Sequence, residues 1–153
     1  MLLAKKFGME YTDSNDKRVN PYIIHRTSLG CYERTLALLL EKYAGALPMW
    51  IAPEQVRLMP IGDEQLDYAK GIAAELTKQG MRVTVDERNE KIGYKIRAAQ
   101  MEKIPFMLVI GEKEMTENTV AVRSRKKGDM GVMSASDFIA FAKEQVDNKV
   151  LDN

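Results

Sequence analysis

Cys31 is the only cysteine in 153 residues, so no internal disulfide can form and a reducing compartment fits the chain. An excess of charge of one sign is missing too. The 23 Lys and Arg nearly balance the 22 Asp and Glu, leaving a formal net charge of +1. No global field announces a nucleic-acid partner, although a local patch would suffice for one. Long apolar runs are absent, and no stretch approaches the ~20 residues of a membrane span. The opening MLLAKKFGMEY has neither a sustained apolar run nor a small-residue cleavage site, which speaks against a signal peptide. There is no internal repeat, low-complexity tract, Gly-rich phosphate loop or Ser/His/Asp arrangement. The expected class is a cytoplasmic domain with an appendage, large enough for an independent core and with no membrane partner.

Residues 7–13 and 20–26 read as two short strands around the polar turn SNDKRVN. A helix is expected from about Cys31 to Tyr43, with Leu36, Leu39, Leu40 and Tyr43 on one face. AGALPMWIAP, from Ala44 to Pro53, breaks the pattern and reads as a linker. Beyond it strands and helices alternate. Val56 to Met59 is a strand. Asp63 to Gln79 is a helix that Gly80 stops. MRVTVD is a strand, and Ile92 to Lys103 a second helix. Pro105 to Ile110 is apolar throughout, as in a buried central strand ended by Gly111. Thr119 to Arg123 and Met130 to Met133 are strands around the basic turn RSRKKGD. Ser134 with Asp137 resembles a capping box for a last helix running to about Val146. The alternation predicts an α/β fold with a mixed, mostly parallel sheet of five strands flanked by helices.

Four places can carry chemistry. In HRTSLGCYER (25–34), Gly30 turns the chain into a helix, and Glu33 and Arg34 fall in its first turn. Arg34 can bind phosphate oxygens or stack on a base, or it is a surface arginine on a core helix. In DERNEKIGYKIR (86–97), the step from strand to helix favours anions. Asn89 can read a base edge, and Lys95 and Arg97 can neutralise phosphate or stack. A solvated charged helix face is the alternative. Glu114 and Arg123 follow and end strands, where open α/β sheets form binding crevices. Together they suit a nucleotide, or they form a surface ion pair of little consequence. Arg125, Lys126 and Lys127 make the strongest basic cluster, suited to phosphate or to a solvated turn.

HRTSLGCYER, LPMWIAPEQV, DERNEKIGYKIR, PFMLVIGEKE and VAVRSR occur in an order that resembles the threonyl-tRNA synthetases, class II aminoacyl-tRNA synthetases. The likeness runs from about residue 7 to 145. The DERNEKIGYKIR pattern is shared with prolyl, glycyl and histidyl relatives, and the His-Arg opening points to the threonyl enzyme. The resemblance implies an end segment of the catalytic domain over 1–45, a β-hairpin and motif helix, then a linker over 46–54 and an anticodon-binding domain over 55–149. It implies ATP-dependent threonylation of tRNA as the parent reaction and the anticodon stem-loop of tRNA as partner. Asn89, Arg97, Glu114 and Arg123 take the RNA-binding role, with Lys91 and Lys95 on the backbone. Arg34 matches the arginine that closes over ATP. His25 matches one protein ligand of a family zinc. A catalytic zinc needs about three such ligands, so neither zinc nor another cofactor is expected in this chain. The chain is expected to bind RNA without aminoacylating it. Its N-terminal hairpin and apolar helix face are expected to be disordered, to repack, or to pair with a second copy. A free-standing RNA-binding or regulatory paralogue, and an α/β protein-interaction domain, are the rival readings.

Overall fold

The computed structural model describes residues 2–151. The chain divides into two compact units, Met1–Thr35 and Leu36–Asn153.

In the first unit a short helix, α1 (Leu2–Lys6), precedes strands β1 (Tyr11–Thr12) and β2 (Arg18–Val19). The strands pair antiparallel, with Tyr11 opposite Val19. Asp13 ties the turn between them, its Oδ1 accepting from the amides of Asn15 and Lys17 at 2.8 and 2.9 Å. The Lys17 amide above all holds this carboxyl below the usual carboxylate range. The hairpin is therefore present but much shorter than expected, and 20–26 is not a strand. Pro21 has no N–H to give a ladder, and Tyr22 and Ile24 are 77% and 89% exposed. The α1 helix had no signal strong enough to predict it. Helix α2 (Tyr32–Tyr43) starts after Gly30, at φ +74, and buries none of its residues. Leu36, Leu38 and Leu40 are exposed.

The second unit carries the sheet, in the order β4-β3-β5-β6-β7. Its strands are β3 (Val56–Pro60), β4 (Val83–Val85), β5 (Phe106–Ile110), β6 (Thr119–Ser124) and β7 (Gly128–Ser134). β3 runs parallel to β4 and β5, whereas β5–β6 and β6–β7 are antiparallel. The sheet is mixed as expected, with parallel pairing in half of its ladders. The helices are α3 (Leu66–Lys78), α4 (Ile92–Met101), α5 (Glu112–Glu117) and α6 (Ala135–Asp147).

Strand alternation sorts the buried side chains onto two faces. Val56, Leu58, Phe106, Leu108, Val120 and Val122 pack with Ile72 and Leu76 of α3 and Phe138 and Ala142 of α6. Phe106 meets Phe138 and Phe141 edge-on, at centroid distances of 5.9 and 5.6 Å. On the other face Met59 and Met107 pack with Ala99, Ile104, Ile92 and Ile96 of α4 and its exit. Because β3 is covered on both faces, all five of its residues are buried.

Gly80, at φ +82, ends α3 as expected. Ser134 Oγ caps α6 by accepting from Asp137 N at 3.0 Å. Helix α5 was not expected, since GEKEMTEN lacks an apolar period. It forms because Glu114 Oε2 accepts from Gly111 N at 2.9 Å and Asn118 closes it at φ 54. The segment before β3 is firmly held. Met49–Ile51 is a 3-10 turn, and Leu47, Met49 and Ala52 are buried.

Candidate nucleic-acid interface

The motif DERNEKIGYKIR spans the exit of β4 and the entry of α4, and about half of it is scaffold. Asp86 is buried. Its carboxylate receives Arg88 Nε at 2.8 Å and an Arg88 Nη2 bond at 2.6 Å. The Arg88 hydrogen bond holds the Asp86 carboxyl below the usual range, and Asp86 in turn raises the arginine. The Arg88 guanidinium also lies 5.8 Å from the Tyr94 ring centroid.

Lys95 was expected to meet the RNA backbone. The structure corrects this: the residue is 3% exposed. Its Nζ donates to the main-chain carbonyls of Pro60 and Asp86, both at 3.0 Å. Tying the end of β3 to the end of β4 leaves the ammonium inside the fold.

What the scaffold presents outward is Asn89, Lys91 and Arg97, all exposed. Asn89 lines a cleft of about 90 Å³ together with Gly62, Asp63 and Lys95 at the end of β3. Sequence reading did not single out Arg57, although an arginine inside the apolar run VRLMP was a signal. Arg57 is 8% exposed and binds Glu54 through Nε at 2.8 Å and Nη2 at 2.6 Å. Its Nη2 also donates to Glu102 at 2.6 Å. These carboxylates raise the guanidinium pKa, the Glu54 bond most, and Arg57 lowers that of Glu102.

Arg123 lies opposite Met107 in the β5–β6 ladder, on the face that α4 covers only beside β3 and β5. Ala121 and Val132 share this face, and Val132 is 58% exposed. Arg123 Nη1 stands 3.7 Å from Asp129 Oδ2. Its Nε is buried without a hydrogen-bond partner. A buried donor in that condition is costly until an acceptor reaches it.

Glu114 and Arg123 are not brought together as one reading unit. Arg123 sits beside the start of β5, and Glu114 follows that strand's end. Three residues of strand rise, from Met107 to Ile110, separate the two levels, about 10 Å. One Glu114 oxygen caps α5.

The basic turn divides in the same way. Arg125 points inward, donating through Nη1 to Lys103 O at 2.5 Å and through Nη2 to Ala46 O and Leu47 O, both at 3.1 Å. Burial pushes its pKa down. Lys126 and Lys127 are exposed, their amides directed to Ser124 Oγ.

In the first unit His25 and Arg34 are exposed. Cys31 Sγ is 2.9 Å from Glu33 Oε2, a bond that holds the Glu33 carboxyl below its ordinary range. Among the described residues no group of three or more His, Cys, Asp and Glu could hold a metal ion. The donors around His25 do not fit a zinc site. Among the described residues no helix is long and apolar enough to cross a membrane.

A mixed five-stranded sheet with helices on both faces, and a braced polar loop at the exit of β4, define an open-sheet α/β domain. A family model described as an anticodon binding domain matches residues 55–145. The chain belongs to that family.

Threonine–tRNA ligase of Clostridium perfringens (strain SM101 / Type A) is 56% identical over 137 residues, which are 90% of this chain and 21% of that protein. The Clostridium tetani enzyme is 44% identical over 151 residues, 99% of this chain and 24% of that protein. The chain thus spans about a fifth to a quarter of the length of the curated relatives it matches. The crystal structure of the RNA binding domain of threonyl-tRNA synthetase from Cryptosporidium parvum Iowa II superposes with a TM-score of 0.74 at 32% identity. That match covers 94% of this chain and 36% of the other.

Proposed function

We propose that this chain binds the anticodon stem-loop of a threonine tRNA through the surface around Asn89, Lys91, Arg97, Glu114 and Arg123. The observation that carries the reading is Arg123. It is half-buried on an open sheet face, with Nε unpartnered among the described residues and a long contact from Nη1 to Asp129. The side chain is 35% exposed, so the rest of its guanidinium can meet a base or phosphate acceptor. The loop after β4 presents Asn89, whose side-chain amide both donates and accepts, and the start of that loop is held by the Asp86–Arg88 pair and by Lys95. Preorganised in this way, the loop loses little freedom on binding.

Selectivity comes from base edges and stacking, and affinity from phosphate contacts of Lys91 and Arg97. Within a polypeptide that also carries the rest of a class II catalytic domain, the reaction served is ATP-dependent threonylation, with Arg34 closing on ATP. The cytoplasm is the proposed location. The exposed apolar residues of α2, Leu36, Leu38 and Leu40, also support a homodimer through the N-terminal segment.

Backbone amide shifts on adding a stem-loop RNA with a threonine anticodon test the site. The largest shifts are expected in 87–97, at Glu114 and over 121–123. Shifts confined to α3 and α6 would place the RNA elsewhere.

A further inference from the structure

The segment between α2 and β3 is held by side chains that donate to its carbonyls one after another. Lys103 Nζ donates to Ala44 O. Arg125 Nη2 donates to Ala46 O and Leu47 O at 3.1 Å each. Gln55 Nε2 donates to Met49 O at 3.0 Å. Arg82 reaches Trp50 O at 3.2 Å and Ala52 O at 2.8 Å. Six carbonyls within nine residues, Ala44 to Ala52, are thus held by four side chains from four places in the fold. With Pro48 and three alanines, and no regular element beyond one 3-10 turn, this stretch is a clamped strap.

One of the four clamps is placed to sense the proposed RNA surface. Arg125 is two residues beyond Arg123 on the same run of chain, and its own amide donates to Pro105 O at 2.9 Å. Its Nη1 donates to Lys103 O, on the residue that holds Ala44. A displacement at Arg123 therefore reaches two adjacent clamps through one guanidinium, whose planar fork grips three carbonyls at once. Its hydrogen bonds are charge-assisted, the stronger class.

We infer that Arg125 is a positioning residue and not an RNA contact: it couples RNA engagement at Arg123 to the 44–52 strap. The inference rests on the RNA-binding reading above. It differs from phosphate attraction by the basic turn, because the Arg125 guanidinium is engaged with three main-chain carbonyls of the chain itself.

Hydrogen exchange of the 44–52 amides, read with and without stem-loop RNA carrying a threonine anticodon, tests it on the whole chain. In the RNA-free protein Arg125→Gln should speed exchange in 44–52 by about tenfold or more, as expected for loss of charge-assisted bonds. Amides of β5 and α4 should keep wild-type rates and so report an intact fold. Arg125→Lys keeps the charge without the fork and should fall between the two. Added RNA should change 44–52 exchange in the wild type. In Arg125→Gln it should still bind within about threefold of the wild-type affinity while the strap no longer responds.

Unchanged strap exchange in RNA-free Arg125→Gln would overturn the clamp. A tenfold or greater loss of RNA affinity in that variant, with the strap unmoved, would make Arg125 an RNA contact. Binding by the wild type with no strap response overturns the coupling alone. Absence of wild-type binding overturns it together with the reading it rests on.

Discussion

Lys95 donates its ammonium to the main-chain carbonyl of Asp86 at 3.0 Å, nine residues back in the chain. The same nitrogen holds Pro60 O at the end of β3. The two ends of a parallel pair are thereby joined by one buried cation, and the loop carrying Asn89 starts from that joint. Lys95→Met should leave both carbonyls without this donor and cost about 2–4 kcal/mol, at the usual penalty for unsatisfied buried groups. Urea unfolding measures this. A loss under about 0.5 kcal/mol, the range of an ordinary surface change, would show that the bridge does little.

Asp86 and Glu102 give the fold an acid sensitivity. Both carboxyls are held below their ordinary values by arginine hydrogen bonds, Arg88 for the first and Arg57 for the second. A lowered folded-state value means the stabilisation is complete above the unfolded pKa, about 4. It is lost as pH falls through the folded value. Stability should therefore be flat from pH 7 to about 5 and drop below about 4. Asp86→Asn should shrink that drop and cost about 1–3 kcal/mol at neutral pH, where the partly exposed Arg88 loses its buried partner. Denaturant midpoints taken across pH give the comparison. A variant as acid-sensitive as the wild type would remove Asp86 from this role.

Phosphate and base contacts should separate by mutation. Lys91→Gln should weaken cognate and non-cognate stem-loops alike and reduce the salt slope of binding by about one ion. Asn89→Ala and Arg123→Gln should weaken the cognate RNA more, by about 1–3 kcal/mol. Equal losses on both RNAs would reduce Asn89 and Arg123 to backbone contacts.

The exposed leucines of α2 carry the homodimer proposal. Leu36→Ser with Leu40→Ser should shift sedimentation from dimer to monomer while leaving the far-UV spectrum close to wild type, since neither side chain is buried. A wild-type chain that sediments as a monomer at tens of micromolar would end that proposal.

Much of the second unit was legible because its signals are periodic. Ile72 and Leu76 mark α3, the run FMLVI marks the buried β5, and Ser134 announces α6. What stayed hidden was set by partners far away in sequence. Lys95 reads like any helix-surface lysine until Pro60 and Asp86 are placed around it. Arg125 looks like part of a solvated basic turn until Ala46 and Leu47 close on it, nearly 80 residues away. Helix α5 lacks an apolar face and forms through a Glu114 cap. The strand expected over 20–26 failed for the opposite reason: apolar residues were present, but no ladder partner was there among the described residues. Asn89, Lys91 and Arg97 are exposed, in and after the loop that follows β4.

The most direct test of the account is an equilibrium titration of the chain with two stem-loop RNAs that differ only in the anticodon, one for threonine and one changed at a single base. The account predicts tighter binding of the threonine RNA by about 1–3 kcal/mol, or about 5- to 150-fold, with affinity falling as salt rises. Equal affinity for the two RNAs at every salt concentration, or no binding of either, would contradict it.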